Sequence, residues 1–150
     1  PTVLGAASGA VAGLVAITPG AGFVGPGSAI IIGIVGGVLC SMACSLKPRL
    51  GYDDSLDVVG VHGVGGTWGA LATGLFASKA VNAAGNDGLF FGNPGQLWVQ
   101  LVSVVATLAL AMIGTFILLT IIKAVMGLRV ADEEERMGLD LSQHNERAYE

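Results

Sequence analysis

The chain has 150 residues, of which 53% are hydrophobic and 12% charged, with a formal net charge of −4. Its charges fall in three short intervals, Lys47 to Asp57, Lys79 to Asp87 and Lys123 to Glu150, and the stretches between them carry none. A soluble domain spreads about a quarter of charged residues along its length, so this pattern excludes that class and describes a membrane protein. The acidic excess lies in the tail, in Asp132, Glu133, Glu134 and Glu135, which argues against nucleic-acid binding through a basic face.

Crossing the hydrocarbon core takes about 20 apolar residues. Four stretches qualify: 1–18, 22–46, 58–78 and 97–122. The chain opens on Pro1 inside an apolar run, with no basic n-region and no cleavage site, so it is expected to be part of a longer protein. In the first span Gly5, Gly9 and Gly13 stack at spacing four, and in the second Gly33 and Gly37 repeat the pattern; both are expected to be close-approach faces. Thr18-Pro19-Gly20-Ala21-Gly22 joins these spans without a charge, as a helix stop at the membrane surface or inside protein. Cys40 and Cys44, four apart on a helix face, are expected to be packing residues, since a disulfide there would be strained.

Asp54, Ser55 and Asp57 precede the third span and read as helix caps. That span holds the intramembrane ionisable residue His62. Its stripe of His62, Gly66, Gly69 and Thr73 is small and polar, and bulk is confined to Val61, Val64, Trp68, Leu71 and Leu75. A helix so lacking in bulk is expected to be buried among others, with His62 a pathway or proton-relay residue; the alternative is a structural hydrogen bond to a neighbouring helix. His62 lies only about 6 Å beyond Val58 at 1.5 Å per residue, so a mid-membrane site needs a vestibule or a recessed helix start.

The loop from Lys79 to Gly95 carries Phe90 and Phe91, with Trp98 close behind, suiting an aromatic interface belt. In the fourth span, Gln96, Gln100, Ser103, Thr107, Ala111 and Gly114 form a stripe expected to face protein, and its length of about 39 Å implies a tilt. In the tail, Gly127 is placed to end the fourth helix, Asp132 with Glu135 resembles a capping pair, and Gly138 would end the short helix they start; a disordered tail is the alternative. His144 is expected to be solvated. Lys47, Arg49, Lys123, Arg129 and Arg136 on one side, against Lys79 on the other, place the tail and the second-to-third loop in the cytoplasm.

Two patterns fail their context tests. Gly20-Ala-Gly22-Phe-Val-Gly25 matches a dinucleotide fingerprint, but no strand precedes it. There is no H-E-x-x-H and no G-x-S-x-G, so no enzyme activity, catalytic residue, metal or cofactor is expected.

The runs Ser8-Gly-Ala-Val-Ala-Gly-Leu-Val-Ala-Ile-Thr-Pro19, Asp53-Asp54 with Asp57-Val-Val-Gly-Val-His-Gly63, and Gly127-Leu-Arg-Val with Glu-Glu, Gly138-Leu-Asp140, His144 and Ala148-Tyr149 closely resemble the ammonium transporter (Amt/MEP/Rh) family, most of all its bacterial members. The D-V-x-G-V-H-G run is the most specific of these. The resemblance implies an all-α polytopic membrane protein whose four spans match the last four of eleven transmembrane helices. The transmembrane part would be 1–128 and the cytoplasmic regulatory tail 129–150. It also implies a homotrimer in the cell membrane with one narrow pore per subunit, and transport of ammonium as ammonia. His62 matches the second of a pair of pore histidines and Val58 an apolar pore-lining position. Asp54 and Asp57 mark the cytoplasmic start of that helix, and Gly138 and Asp140 belong to the tail. The first histidine, the outer phenylalanine gate and the outer binding site would lie upstream of Pro1. A trimeric P-II-type nitrogen-signalling protein is the implied partner of the tail and loop. The alternative is an ammonium-sensing or regulatory membrane protein acting through its tail.

Overall fold

The computed structural model describes residues 2–147, so Pro1 and the Ala148-Tyr149 pair lie outside the described residues. It is helical, with no strand among those residues, and divides between Thr107 and Leu108 into two compact units.

In the first unit, α1 spans Val3–Ile17, with Thr2 Oγ1 accepting the Gly5 N–H at 3.0 Å as its cap. A 3₁₀ turn, Thr18–Gly20, follows. Helix α2 runs Pro26–Leu50, displaced from the expected 22–46 at both ends. Gly22 adopts φ 79° in a turn, and Pro26 opens the helix where its missing N–H has no ladder partner. At the other end the charged residues Lys47 and Arg49 continue the helix until Gly51, at φ 69°, stops it with its N–H on the Lys47 carbonyl at 3.1 Å. The expected third span begins as a π-helical turn, Val59–Gly63, and continues as α3, Val64–Phe76. Among the described residues, three helical segments are individually long and apolar enough to cross a membrane: Val3–Gly20, Pro26–Leu50 and Pro94–Val125.

Small residues bring α1, α2 and α3 together. Ala12, Ala16, Ile32, Cys40, Val61 and Ala72 are buried. A Cβ at Gly36 would fall on the Ala16 methyl, one at Gly69 on the Ala16 carbonyl, and one at Gly65 within 2.9 Å of Cys40 Sγ. The expected faces are not the ones used between these three helices: a Cβ at Gly9, Gly13, Gly33 or Gly37 would meet nothing within 4 Å in this chain. A spacing of four identifies a smooth helix face, but the neighbour that uses it is chosen by tertiary packing, which here selects the Ala12/Ala16 face of α1 and Gly36 of α2.

The connection after α3 is ordered by its own polar groups. Ser78 N–H donates to the Phe23 carbonyl at 2.9 Å, Lys79 N–H to Asp87 Oδ1 at 2.8 Å, and Phe76 and Phe90 pack with ring centroids 5.0 Å apart. Helix α4, Pro94–Val125, is longer at both ends than expected and has no buried residue. Within the first unit Gly74 lies against Leu97 and Gln100 of α4. Of the polar stripe, Gln96, Gln100 and Gly114 are half-buried, while Ser103 and Thr107 are exposed.

In the second unit, Gly127 takes φ 81° just beyond α4, and the short helices α5, Asp132–Met137, and α6, Leu139–Ser142, pack on each other. Ser142 Oγ donates to the Gly138 carbonyl at 2.9 Å. Asp132 and Glu135 do not form the expected capping box: Ala131 is the N-cap, and Glu135 pairs with Arg129 at 3.1 Å. Gly138 ends α5 as expected, at φ 97°.

Candidate functional site

The segment from Asp54 to Gly63 is built by backbone capping and anchored by α2. Asp54 Oδ1 accepts the Val58 N–H at 2.9 Å and Oδ2 the Val59 N–H at 2.8 Å, satisfying two donors that a helix start leaves open. Asp57 has a different role from the expected cap. It turns the chain at φ 56°, and its Oδ1 receives Lys47 Nζ at 2.6 Å. Its own N–H donates to the Asp54 carbonyl at 3.1 Å, and its carbonyl accepts the Val61 N–H at 2.8 Å.

Over Val59–Gly63 the ladder widens, with the Val64 N–H reaching the Val59 carbonyl five residues back. Single π-turns inside α-helices recur at functional sites because the extra residue re-aims side chains. Here the widened turn rests on α2. Gly60 meets Cys44, whose Sγ lies 2.6 Å from where a Cβ would be, and Cys40 Sγ donates to the Val61 carbonyl at 3.5 Å. The two cysteines thus pack as expected, neither paired in a disulfide.

Gly60 and Val61 face inward, and His62 faces outward. Within this chain's own helices His62 is not covered as expected: it is exposed, together with Val58 (49% exposed), Val59 and Gly63. The buried small residues of this segment, Gly60, Gly65, Gly69 and Thr73, line the opposite side, against α1, α2 and the 3₁₀ turn. Among the described residues, none hydrogen-bonds the His62 imidazole. An open groove of about 520 Å³ flanks the turn on its other side, bordered by Ser8, Ser41, Cys44, Asp57 and Val61, and His62 is not part of it. The site is therefore a face: one imidazole and apolar Val58 and Val59, presented on a turn held from behind. In the second unit, Gly138 and Asp140 are adjacent, Asp140 Oδ1 lying 2.6 Å from where a Gly138 Cβ would be.

Lys47, Cys40 and Cys44 were not legible as partners of this turn. Their spacing on α2 is visible in the sequence, but nothing local connects them to residues more than a turn away.

Long apolar helices packed through glycine and alanine, with a lone histidine on a widened turn, define a polytopic helical membrane protein. A family model described as the Ammonium Transporter Family matches residues 1–149, and the chain belongs to that family. The ammonium transporter of Bacillus subtilis is 55% identical over 151 residues, covering 100% of this chain and 37% of that protein. Ammonium transporter Amt1 of Archaeoglobus fulgidus is 50% identical over 149 residues, covering 99% of this chain and 38% of that protein. The structure of Saccharomyces cerevisiae Mep2 superposes with a TM-score of 0.81 at 42% identity, covering 88% of this chain and 31% of that one. The chain thus spans well under half the length of the relatives it matches.

Proposed function

We propose that this chain supplies the His62 wall of an ammonium-transporting pore. The observation that carries the reading is the exposed face of Val59 and His62 on the π-turn with Val58 just before it, in a chain of this family. Ammonium is strongly hydrated, and moving it bare into a low-dielectric passage costs many kcal/mol, whereas neutral ammonia desolvates far more cheaply. In this reading the proton leaves ammonium before the narrow part, Val58 forms part of the apolar wall, and neutral His62 hydrogen-bonds ammonia or relays the proton. Imidazole suits either task because one nitrogen donates while the other accepts.

The segment 58–76 is then the third of four crossings, about 28 Å long at 1.5 Å per residue against about 30 Å of hydrocarbon. Residues 1–128 belong to the membrane part, and 129–150 form a cytoplasmic tail in which Gly138 and Asp140 serve regulation. Asp54 and Asp57 stand at the cytoplasmic start of the pore helix. The assembly is a homotrimer in the cell membrane, and the tail with the α2–α3 loop is the contact for a P-II-type signalling protein.

Uptake of ammonium or methylammonium by proteoliposomes of the complete transporter tests the reading. Flux above empty vesicles, with loss of flux or of discrimination against potassium in His62→Ala, is expected. Absence of flux while the tail still binds a partner would support a sensor instead.

A further inference from the structure

The residues behind the His62 turn come from one face of one helix. Cys40, Cys44 and Lys47 step by four and three along α2, and each holds a different part of the turn: Cys40 the Val61 carbonyl, Cys44 the Gly60 backbone, and Lys47 its entrance. The first two act through soft packing and a long thiol contact. Lys47 acts through two short, charge-assisted bonds, 2.7 Å to the Asp54 carbonyl and 2.6 Å to Asp57 Oδ1.

Those two acceptors bracket the tightest point of the chain. Asp57 adopts φ 56°, a left-handed conformation that residues with a Cβ rarely take and that surrounding contacts must hold. The same four-residue turn closes through Asp57 N–H on the Asp54 carbonyl, so one ammonium spans both ends of the turn and ties it to α2. From there the path to His62 is short: the Asp54 carboxylate holds the Val58 and Val59 amides, and the Asp57 carbonyl holds the Val61 amide. Lys47 is three-quarters shielded at its side chain, with 23% exposed, and its bonds go to Asp54 and Asp57 rather than to His62.

We propose that Lys47 is a positioning residue for His62: by clamping Asp54 and Asp57 it sets the depth and rotation of the π-turn, and with them the aim of the imidazole. This rests on the reading of His62 as a pore residue. Misplacement of a functional group by about 1 Å can cost up to about a hundredfold in rate, so loss of the clamp should be visible in transport without loss of the fold.

The experiment is a double-mutant cycle in proteoliposomes of the complete transporter, comparing wild type, Lys47→Met, His62→Ala and the double variant. The readouts are ammonium flux and discrimination against potassium, with folding checked by thermal unfolding. Lys47→Met is expected to lower flux about tenfold or to relax discrimination, Lys47→Arg to restore most of the loss, and Lys47→Met to add little once His62 is already Ala. The proposal is overturned by wild-type transport in Lys47→Met, by additive effects of the two substitutions, or by a folded Lys47→Arg no better than Lys47→Met. If Lys47→Met fails to fold, the cycle is run with Lys47→Gln, and additivity there overturns it equally. If His62→Ala transports and discriminates like wild type, the pore reading itself falls; an active His62 with additive Lys47 removes only the positioning role.

Discussion

The indole of Trp68 crosses Gly36 of α2, with Cδ1 3.4 Å from where a Cβ would sit, and Nε1 donates to the Ile32 carbonyl at 3.0 Å. One side chain of α3 thus fills the notch left by a glycine and spends its polar atom on the backbone beside it. Trp68→Phe keeps most of the ring and loses the donor, so a cost of about 1 kcal/mol is expected. Trp68→Ala also opens a void and should cost about 3–5 kcal/mol. Denaturant unfolding in detergent micelles, followed by circular dichroism, separates the two.

Gly36 and Gly37 are neighbours with opposite surroundings. A methyl at Gly36 collides with Ala16, whereas a methyl at Gly37 meets nothing within 4 Å. Gly36→Ala is therefore expected to destabilise the α1–α2 packing by about 1–3 kcal/mol. Within this chain Gly37→Ala should be neutral or slightly stabilising, by up to about 1 kcal/mol from improved helix propensity. Equal effects of the two in the same unfolding measurement would contradict this packing.

Asp54 places both carboxylate oxygens on successive amides. Asp54→Ala leaves the Val58 and Val59 N–H groups without that acceptor, and about 1–3 kcal/mol is expected to be lost at the turn. Amide hydrogen exchange should accelerate at Val58 and Val59 while staying unchanged in the middle of α3. Asp54→Asn retains one acceptor oxygen and should fall between.

Gly138 combines φ 97° with the Asp140 carboxylate 2.6 Å from a Cβ position. Gly138→Ala is strained both in backbone and in contact, with about 1–3 kcal/mol expected against the α5–α6 arrangement. Faster proteolysis between Met137 and Leu139 than in the parent is the signature, and unchanged protection would argue that the tail refolds around the methyl.

The apolar spans were legible because the membrane excludes charge, which leaves blank intervals in the sequence. Helix ends were less so. Lys47 and Arg49 end the apolar run, but α2 continues through both to Gly51, since charge does not report backbone geometry. The glycines of α1 and α2 revealed smooth faces without revealing which face is used. His62 stood out by residue type, yet its exposure did not. The scarcity of bulk around it is genuine, but the small residues serve two sides of the segment, and only packing shows that Gly60, Gly65 and Gly69 take the inner one. The π-turn itself has no local signature, because Val-Gly-Val-His-Gly would serve equally in an α-helix. Its supports, Cys40 and Lys47, lie ten or more residues away.

A π-turn amounts to one residue more than the α-ladder needs, so the aim of His62 depends on counting. Removing a single residue from the widened stretch between the imidazole and Val64 lets the ladder close normally. The segment before the deletion would then turn by about 100° and advance by about 1.5 Å relative to α3. That rotation swings the imidazole off its present face and pulls Asp54 and Asp57 out of register with α2. Substitutions change what this turn is made of; a deletion changes where it points, and the site should tolerate conservative replacement of Val59 far better than the loss of any one residue.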